Sequence, residues 1–217
     1  MKLLSFTTLV LLILLSNSCR KFEQEKIVAE ADPYIPRNLY PVERLPTYFN
    51  RVAVLPNYHT DESSSILTYS DDVFLNEISK IGLFEVIPVS TAFCKKHFGK
   101  ERISSTESLP ENFLKLIIEQ FGANGVMFTD LHSYNPYRPL SLGVRSKLVD
   151  LKSGEFMWAV DESIDAGDAS VMVTAIAYQR GKHVQAISQD TRNSILQSPR
   201  LFSKFVAFTL FQTLPSR

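Results

Sequence analysis

Between Gly125 and Ile164 the chain alternates apolar and polar residues in three runs separated by turn residues. In the first run Val126, Phe128, Asp130, His132 and Tyr134 share one side, and Met127, Thr129, Leu131 and Ser133 the other, because successive strand side chains point to opposite faces. Asn135-Pro136-Tyr137-Arg138-Pro139 ends it, since proline has no N–H for a ladder. Leu140 to Leu151 restarts the alternation, and Asp150 to Gly154 has the composition of a hairpin turn, with Gly154 free to take a left-handed conformation. Phe156, Trp158, Val160, Glu162 and Ile164 alternate along the third run, with Trp158 as its core anchor. Three antiparallel strands leave an apolar face that helices must cover.

The flanking pattern supplies those helices. Arg51 to Pro56 is a short, nearly continuous apolar strand. Leu67, Phe74, Ile78 and Ile81 recur on one face of a helix predicted over 66–81 and stopped by Gly82. Phe84 to Val89 is a second strand, giving a βαβ-like unit whose pairing direction stays open. Ser90 or Thr91 caps a short helix to about Phe98, and Pro110 opens another to Phe121, with Phe113, Leu116, Ile117 and Phe121 inside. Gly167-Asp168 begins a helix to about Arg180 that buries Val171, Met172, Ala175 and Ile176, and Lys182 to Gln197 is polar, either helical or a mobile flap. Ser198-Pro199 starts a very apolar helix carrying Phe202, Phe205, Val206, Phe208 and Phe211. Interrupted by Lys204 and too short to span a bilayer, it is a core helix or half of an interface. The expected fold class is α/β (α+β): a mixed sheet of about five strands ending in an antiparallel meander, with helices packed on it.

The N-terminus has a different texture. Met1-Lys2 and then an apolar run of roughly 13 residues fall short of the ~20 needed to cross a bilayer and fit a secretory signal. The run ends in Leu15-Ser16-Asn17-Ser18-Cys19, which resembles the lipobox of bacterial lipoproteins. That resemblance implies cleavage before Cys19 and acylation of its sulfur and new N-terminus. Ser16 stands where the lipobox usually has Leu, and ordinary cleavage nearby is the alternative. Residues 1–18 are thus expected to be a signal peptide, 19–50 a lipid-anchored, Pro-rich tether and arm, and 51–217 a globular α/β periplasmic domain. Four of the eleven prolines (Pro33, Pro36, Pro41, Pro46) favour an extended chain in 20–50. Tyr34, Ile35, Leu39, Tyr40, Leu45, Tyr48 and Phe49 are too apolar for a free linker, so an arm from about Tyr34 should lie on the domain.

Charge narrows the partners. The 23 basic and 23 acidic residues cancel, and removing the leader takes only Lys2, leaving 22 against 23, or −1. Nucleic acid is therefore not the expected partner. With Cys19 lipidated, Cys94 has no disulfide mate and should be a small buried hydrophobe rather than a nucleophile.

Val52-Ala53-Val54-Leu55-Pro56 and the run Leu148-Val149-Asp150-Leu151, Gly154, Trp158, in this element order, resemble the periplasmic domain of the curli-secretion lipoproteins and of the lipoprotein activators of penicillin-binding proteins. The N-terminal domain of the Tol-system propeller protein looks related in fold. The resemblance covers roughly 51–164 and, by order, the C-terminal helix. It implies a non-enzymatic, lipid-anchored adaptor, without cofactor, that binds other envelope proteins in an assembly, secretion or peptidoglycan-synthesis complex. By similarity to enterobacterial sorting, Arg20 after Cys19 implies the outer membrane with the domain in the periplasm. An oligomeric curli-type secretion component is the alternative, and so is homo-oligomerisation, but the long membrane hairpins of those channels have no counterpart here.

Candidate chemistry is sparse. Asp130, His132 and Tyr134, with Asp161 and Glu162 in reach, would suit a metal, acid/base or small-ligand site; the plainer reading is polar residues at strand ends. His59, Asp61 and Glu62 share a polar loop. Lys95, Lys96, His97, Lys100 and Arg102 form a basic cluster, either a solvated face or a site for an anionic partner. No nucleophile elbow or phosphate-cradling glycine loop is present, so no catalytic, cofactor or metal residue is assigned, and Cys19 is the one modification site.

Overall fold

The computed structural model describes residues 31–182 and 195–217; Cys19, the leader and most of 182–197 lie outside them. Seven strands form one sheet: β1 (Leu39–Pro41), β2 (Arg51–Val54), β3 (Tyr58–His59), β4 (Glu85–Pro88), β5 (Gly125–Asn135), β6 (Ser141–Asp150) and β7 (Phe156–Asp165). Their order is β1-β7-β6-β5-β2-β4, with β3 also beside β5. β2 runs parallel to both β4 and β5, β3 is parallel to β5, and the β5–β6–β7–β1 half is antiparallel. The fold is mixed α/β, with two short strands more than the sequence pattern shows. β1 and β3 are three and two residues long, below the length at which alternation is recognisable. Residues before Arg51 thus belong to the sheet.

Among the described residues five α-helices cover it: α1 (Ser70–Ile81), α2 (Thr91–Phe98), α3 (Phe113–Phe121), α4 (Ala169–Lys182) and α5 (Pro199–Phe211). One face of the sheet (Val52, Met127, Val144, Leu148, Trp158) packs on Phe74 and Ile78 of α1 and on Phe202, Phe205 and Phe211 of α5. The other face, at its parallel end, packs Ala53, Val126, Phe128 and Val149 on Cys94 of α2 and on Phe113 and Ile117 of α3. Trp158 is fully buried, and its indole N–H donates to Thr213 at 3.0 Å, so the polar edge of the ring has a partner where water is excluded. Lys204, the charge that interrupts the apolar run, lies 4.0 Å from the buried Glu77 carboxylate of α1, which also takes Lys80 at 2.6 Å.

Several boundaries move for local reasons. The helix predicted from Ile66 splits into a 3-10 turn, Ser65–Thr68, and α1, because Tyr69 (φ −137°) breaks the run. The helix predicted from Pro110 begins at Phe113, since Pro110 accepts from the Phe113 amide in a turn and Asn112 is left-handed at φ 59°. In α4, Val171 and Ala175 are buried but Met172 and Ile176 are half exposed. Ser90 and Ser198 cap α2 and α5 as their positions predict, and Gly154 (φ 76°) closes the β6–β7 hairpin.

Candidate functional site

The polar residues of the meander are arranged by a bulge. Leu131 faces Val144 and Tyr134 faces Leu142, so His132 and Ser133 together oppose Gly143. An extra residue in one strand rotates everything beyond it. Tyr134 therefore leaves the face of Asp130 and joins the opposite core, where its hydroxyl meets that of Tyr69 at 3.1 Å. Both bulge side chains lie over Gly143: a Cβ there would collide with His132 Cε1 and Ser133 Oγ, and would come within 2.6 Å of His132 Nδ1. Gly143 is the space into which the bulge folds.

Asp130 is buried and fully engaged. Its carboxylate accepts from the Ser105 amide (2.9 and 3.0 Å), the Ser105 hydroxyl (2.7 Å) and the Ser104 hydroxyl (3.1 Å). It pins the loop before α3 onto the sheet. Arg145, its partner in register, turns instead to Asp161, with Nε at 2.7 Å and a terminal nitrogen at 2.6 Å from Oδ2. The other Asp161 oxygen takes His132 Nε2 at 3.1 Å. Glu162 points to the opposite side and holds the arm: it accepts from the Tyr34 hydroxyl at 2.9 Å, the Arg37 amide at 2.5 Å and the Asn38 amide at 2.7 Å. Burial and this carboxylate push the Tyr34 hydroxyl pKa upward. The predicted five-residue group is thus divided among four environments, and of the five only His132 and Asp161 touch. Ser104, Ser105 and Arg145 complete the arrangement, and the sequence reading did not select them. Simple counting back from the Asp150–Gly154 turn would set Arg145 opposite Val160; a second register shift, between Leu148 and Val149, brings it opposite Asp161 instead.

The remaining candidates are structural. His59 is buried, its Nδ1 within 2.9 Å of both the amide nitrogen and the carbonyl oxygen of Asp61. Ser63, donating through its hydroxyl and amide, lowers the Asp61 carboxyl pKa. Three members of the basic cluster find acids: Arg102 forks onto Asp71 at 2.8–2.9 Å, Lys100 meets Glu107 at 2.5 Å, and Lys95 lies 4.0 Å from Glu101. Cys94 is fully buried, which raises its thiol pKa to about 11. Among the described residues no group of three or more His, Cys, Asp or Glu is placed to hold a metal ion, and no helix is long and apolar enough to cross a membrane.

What the arrangement offers is a surface. Among the described residues no helix covers the β1–β7–β6 end of the sheet face on which α2 and α3 pack. Register puts Tyr40 and Ala159 there beside Lys147, with Arg145 and Asp161 adjacent. Tyr40 is 60% and Phe156 46% exposed, and the Lys147 ammonium sits 5.7 Å from the Phe156 ring centre.

No family description and no curated protein matches the chain. Among solved structures it is similar to a PelC dodecamer from Paraburkholderia phytofirmans (15% identity, 69% of this chain and 96% of that one, TM-score 0.41). It is also similar to lipoprotein GNA1162 from Neisseria meningitidis (16%, 61% and 99%, 0.44) and to the LpoB C-terminal domain from Escherichia coli (16%, 54% and 82%, 0.37). These are of the kind to which the sequence resemblance pointed. At such identities and TM-scores the likeness carries nothing about partners or activity.

Proposed function

We propose that this chain is a lipid-anchored envelope protein without enzymatic activity, tethered to the outer membrane through Cys19, whose periplasmic domain works by docking on another envelope protein. The observation that supports this most is the open sheet face. Exposed aromatic side chains set among fixed charges are the composition of a protein–protein interface rather than of a solvated wall. The polar residues that would otherwise suggest catalysis are spent on structure: Asp130 on the Ser104–Ser105 loop, and Asp161 on Arg145 and His132.

The test is photo-crosslinking in cells, with a photoreactive residue in place of Tyr40 or Phe156 and a control at Tyr137, which is 78% exposed in the β5–β6 loop. A discrete adduct with another protein from positions 40 and 156 but not 137 is expected. Adducts to the chain itself would instead indicate the ring-forming alternative, and equal labelling from all three positions would sink the docking-face reading. Fractionation of a Cys19→Ser chain tests the anchor separately: it should leave the membrane fraction.

A further inference from the structure

The open face is built partly from a stretch of chain with little burial of its own. Tyr40 belongs to β1, a three-residue strand at the outer edge of the sheet, beside β7. The arm that contains it gives few backbone bonds, because Pro33, Pro36 and Pro41 have no N–H to donate. Of residues 31–42 only Pro36 is buried. Leu45 and Phe49, by contrast, are 4% and 0% exposed, and the Leu45 amide donates to the Ser216 carbonyl at 2.9 Å. Between the two stretches the exposed Glu43 and Arg44 form a bend. The chain is thus anchored at Leu45 and Phe49 and lightly held before them, with Glu43–Arg44 as the hinge.

What holds the arm is concentrated on one side chain. The Glu162 carboxylate takes the Tyr34 hydroxyl on one oxygen and the Arg37 and Asn38 amides on the other. The Tyr34 amide donates to the Ser170 carbonyl and the Thr174 hydroxyl, at 3.3 and 2.7 Å. The rest is the β1–β7 ladder, flanked by the Asp161 amide on the Asn38 carbonyl (3.1 Å) and the Val42 amide on the Met157 carbonyl (3.0 Å). Hydrogen bonds to a charged acceptor are roughly twice as strong as neutral ones, which makes Glu162 the strongest single hold. It follows Asp161 in β7 and so points away from the open face; its effect on that face passes through the arm.

We propose that residues 31–42 form a strap latched by Glu162, an inference that rests on the docking and anchor readings above. Latched, the strap sets Tyr40 into the docking face. Released, it swings about Glu43–Arg44, withdraws Tyr40 and leaves β7 without its neighbour. The strap thereby couples the face to the anchor. Twelve residue steps separate Cys19 from Ala31, a reach of at most about 40 Å, and release as far as Glu43 adds twelve more and doubles it. A pull on the tether loads the Tyr34 bonds first and β1 last, so the strap yields contact by contact. The complete face is available when the partner lies close to the membrane, and it is dismantled when the domain is drawn away.

The experiment compares the full-length chain with Glu162→Ala, which removes the acceptor of all three donors. In detergent micelles, trypsin should cut after Arg37 at least about tenfold faster in the variant, since cleavage follows the population of the opened segment. Cleavage after Lys147, in the middle of β6, should be unchanged, which separates release of the strap from loss of the fold. In cells, the adduct from a photoreactive residue at position 156 should fall at least about fivefold in Glu162→Ala. Adding Leu39→Cys and Val160→Cys should restore it. These two residues are register partners between the hydrogen-bonded pairs of β1 and β7, at the short Cα spacing of a non-hydrogen-bonded pair, so their disulfide pins Tyr40 without Glu162. Cleavage after Arg37 that is no faster in the variant, an adduct that survives Glu162→Ala, or one that the disulfide fails to restore would overturn the proposal. No adduct from position 156 in the wild-type chain would overturn the docking reading and the coupling with it, and the trypsin result would still decide whether Glu162 latches the strap.

Discussion

Replacing Gly143 with alanine tests whether the bulge is built as described. The backbone there is one any residue adopts, because the positive-φ glycines are Gly82, Gly99, Gly122 and Gly154. The cost of Gly143→Ala is therefore steric: the new methyl meets His132 Cε1 and Nδ1 and Ser133 Oγ. Forcing a methyl into filled space costs about 1–3 kcal/mol, and the reduced freedom of the unfolded chain returns about 0.4–1 kcal/mol. A net loss of about 1–2 kcal/mol follows, or roughly 2–8 °C in midpoint for a domain of this size. Urea unfolding followed by the single buried tryptophan, Trp158, measures it. The decisive comparison is the same substitution in a His132→Ala/Ser133→Ala chain. All three colliding atoms are then gone, and Gly143→Ala should become neutral or stabilising. Additivity of the changes to within about 0.5 kcal/mol would mean that the side chains do not share that space, and the account of why Tyr134 is parted from Asp130 would fail with it.

Three further outcomes are expected. Asp130→Ala should destabilise by about 2–4 kcal/mol, because it strands the Ser104 and Ser105 donors; chemical denaturation would show this, and a loss below about 0.5 kcal/mol would refute the pinning role. The Asp150 carboxyl is disfavoured by burial, but donors from Tyr48, Lys152 and Ser153 outweigh it and hold the pKa below the ordinary 3.8. With the folded pKa the lower one, its stabilisation is present above pH 3.8 and lost as pH falls through the folded value; Asp150→Asn should flatten the stability profile in that window, and an unchanged profile would refute it. Cys94, with its pKa raised to about 11 by burial, should resist a thiol reagent at neutral pH in a Cys19→Ser chain and react fully in urea; rapid labelling of the native chain would contradict its burial.

Much of the fold was legible because the long strands obey a period of two and the caps are local. Ser90, Ser198 and Gly154 act within four residues of themselves, so the sequence displays them directly. The short strands were not legible: Leu39–Pro41 and Tyr58–His59 are strands only because β7 and β5 offer them edges. Tyr69 and Asn112 broke helices through backbone conformations that their side chains do not announce.

The candidate site was harder for a single physical reason. A period-two argument assigns faces correctly until the first inserted residue, then inverts every later assignment. Asp130 and His132 precede or form the bulge and stay on the predicted face, whereas Tyr134 follows it and crosses to the other. Register carried the rest, because Arg145 meets Asp161 across β6 and β7, sixteen positions apart, only through the second register shift, between Leu148 and Val149. The glycine that marks the bulge, Gly143, lies on the opposing strand. A lone glycine inside an alternating run is thus the sequence signal that was available, and it locates the inversion on the neighbouring strand rather than on its own.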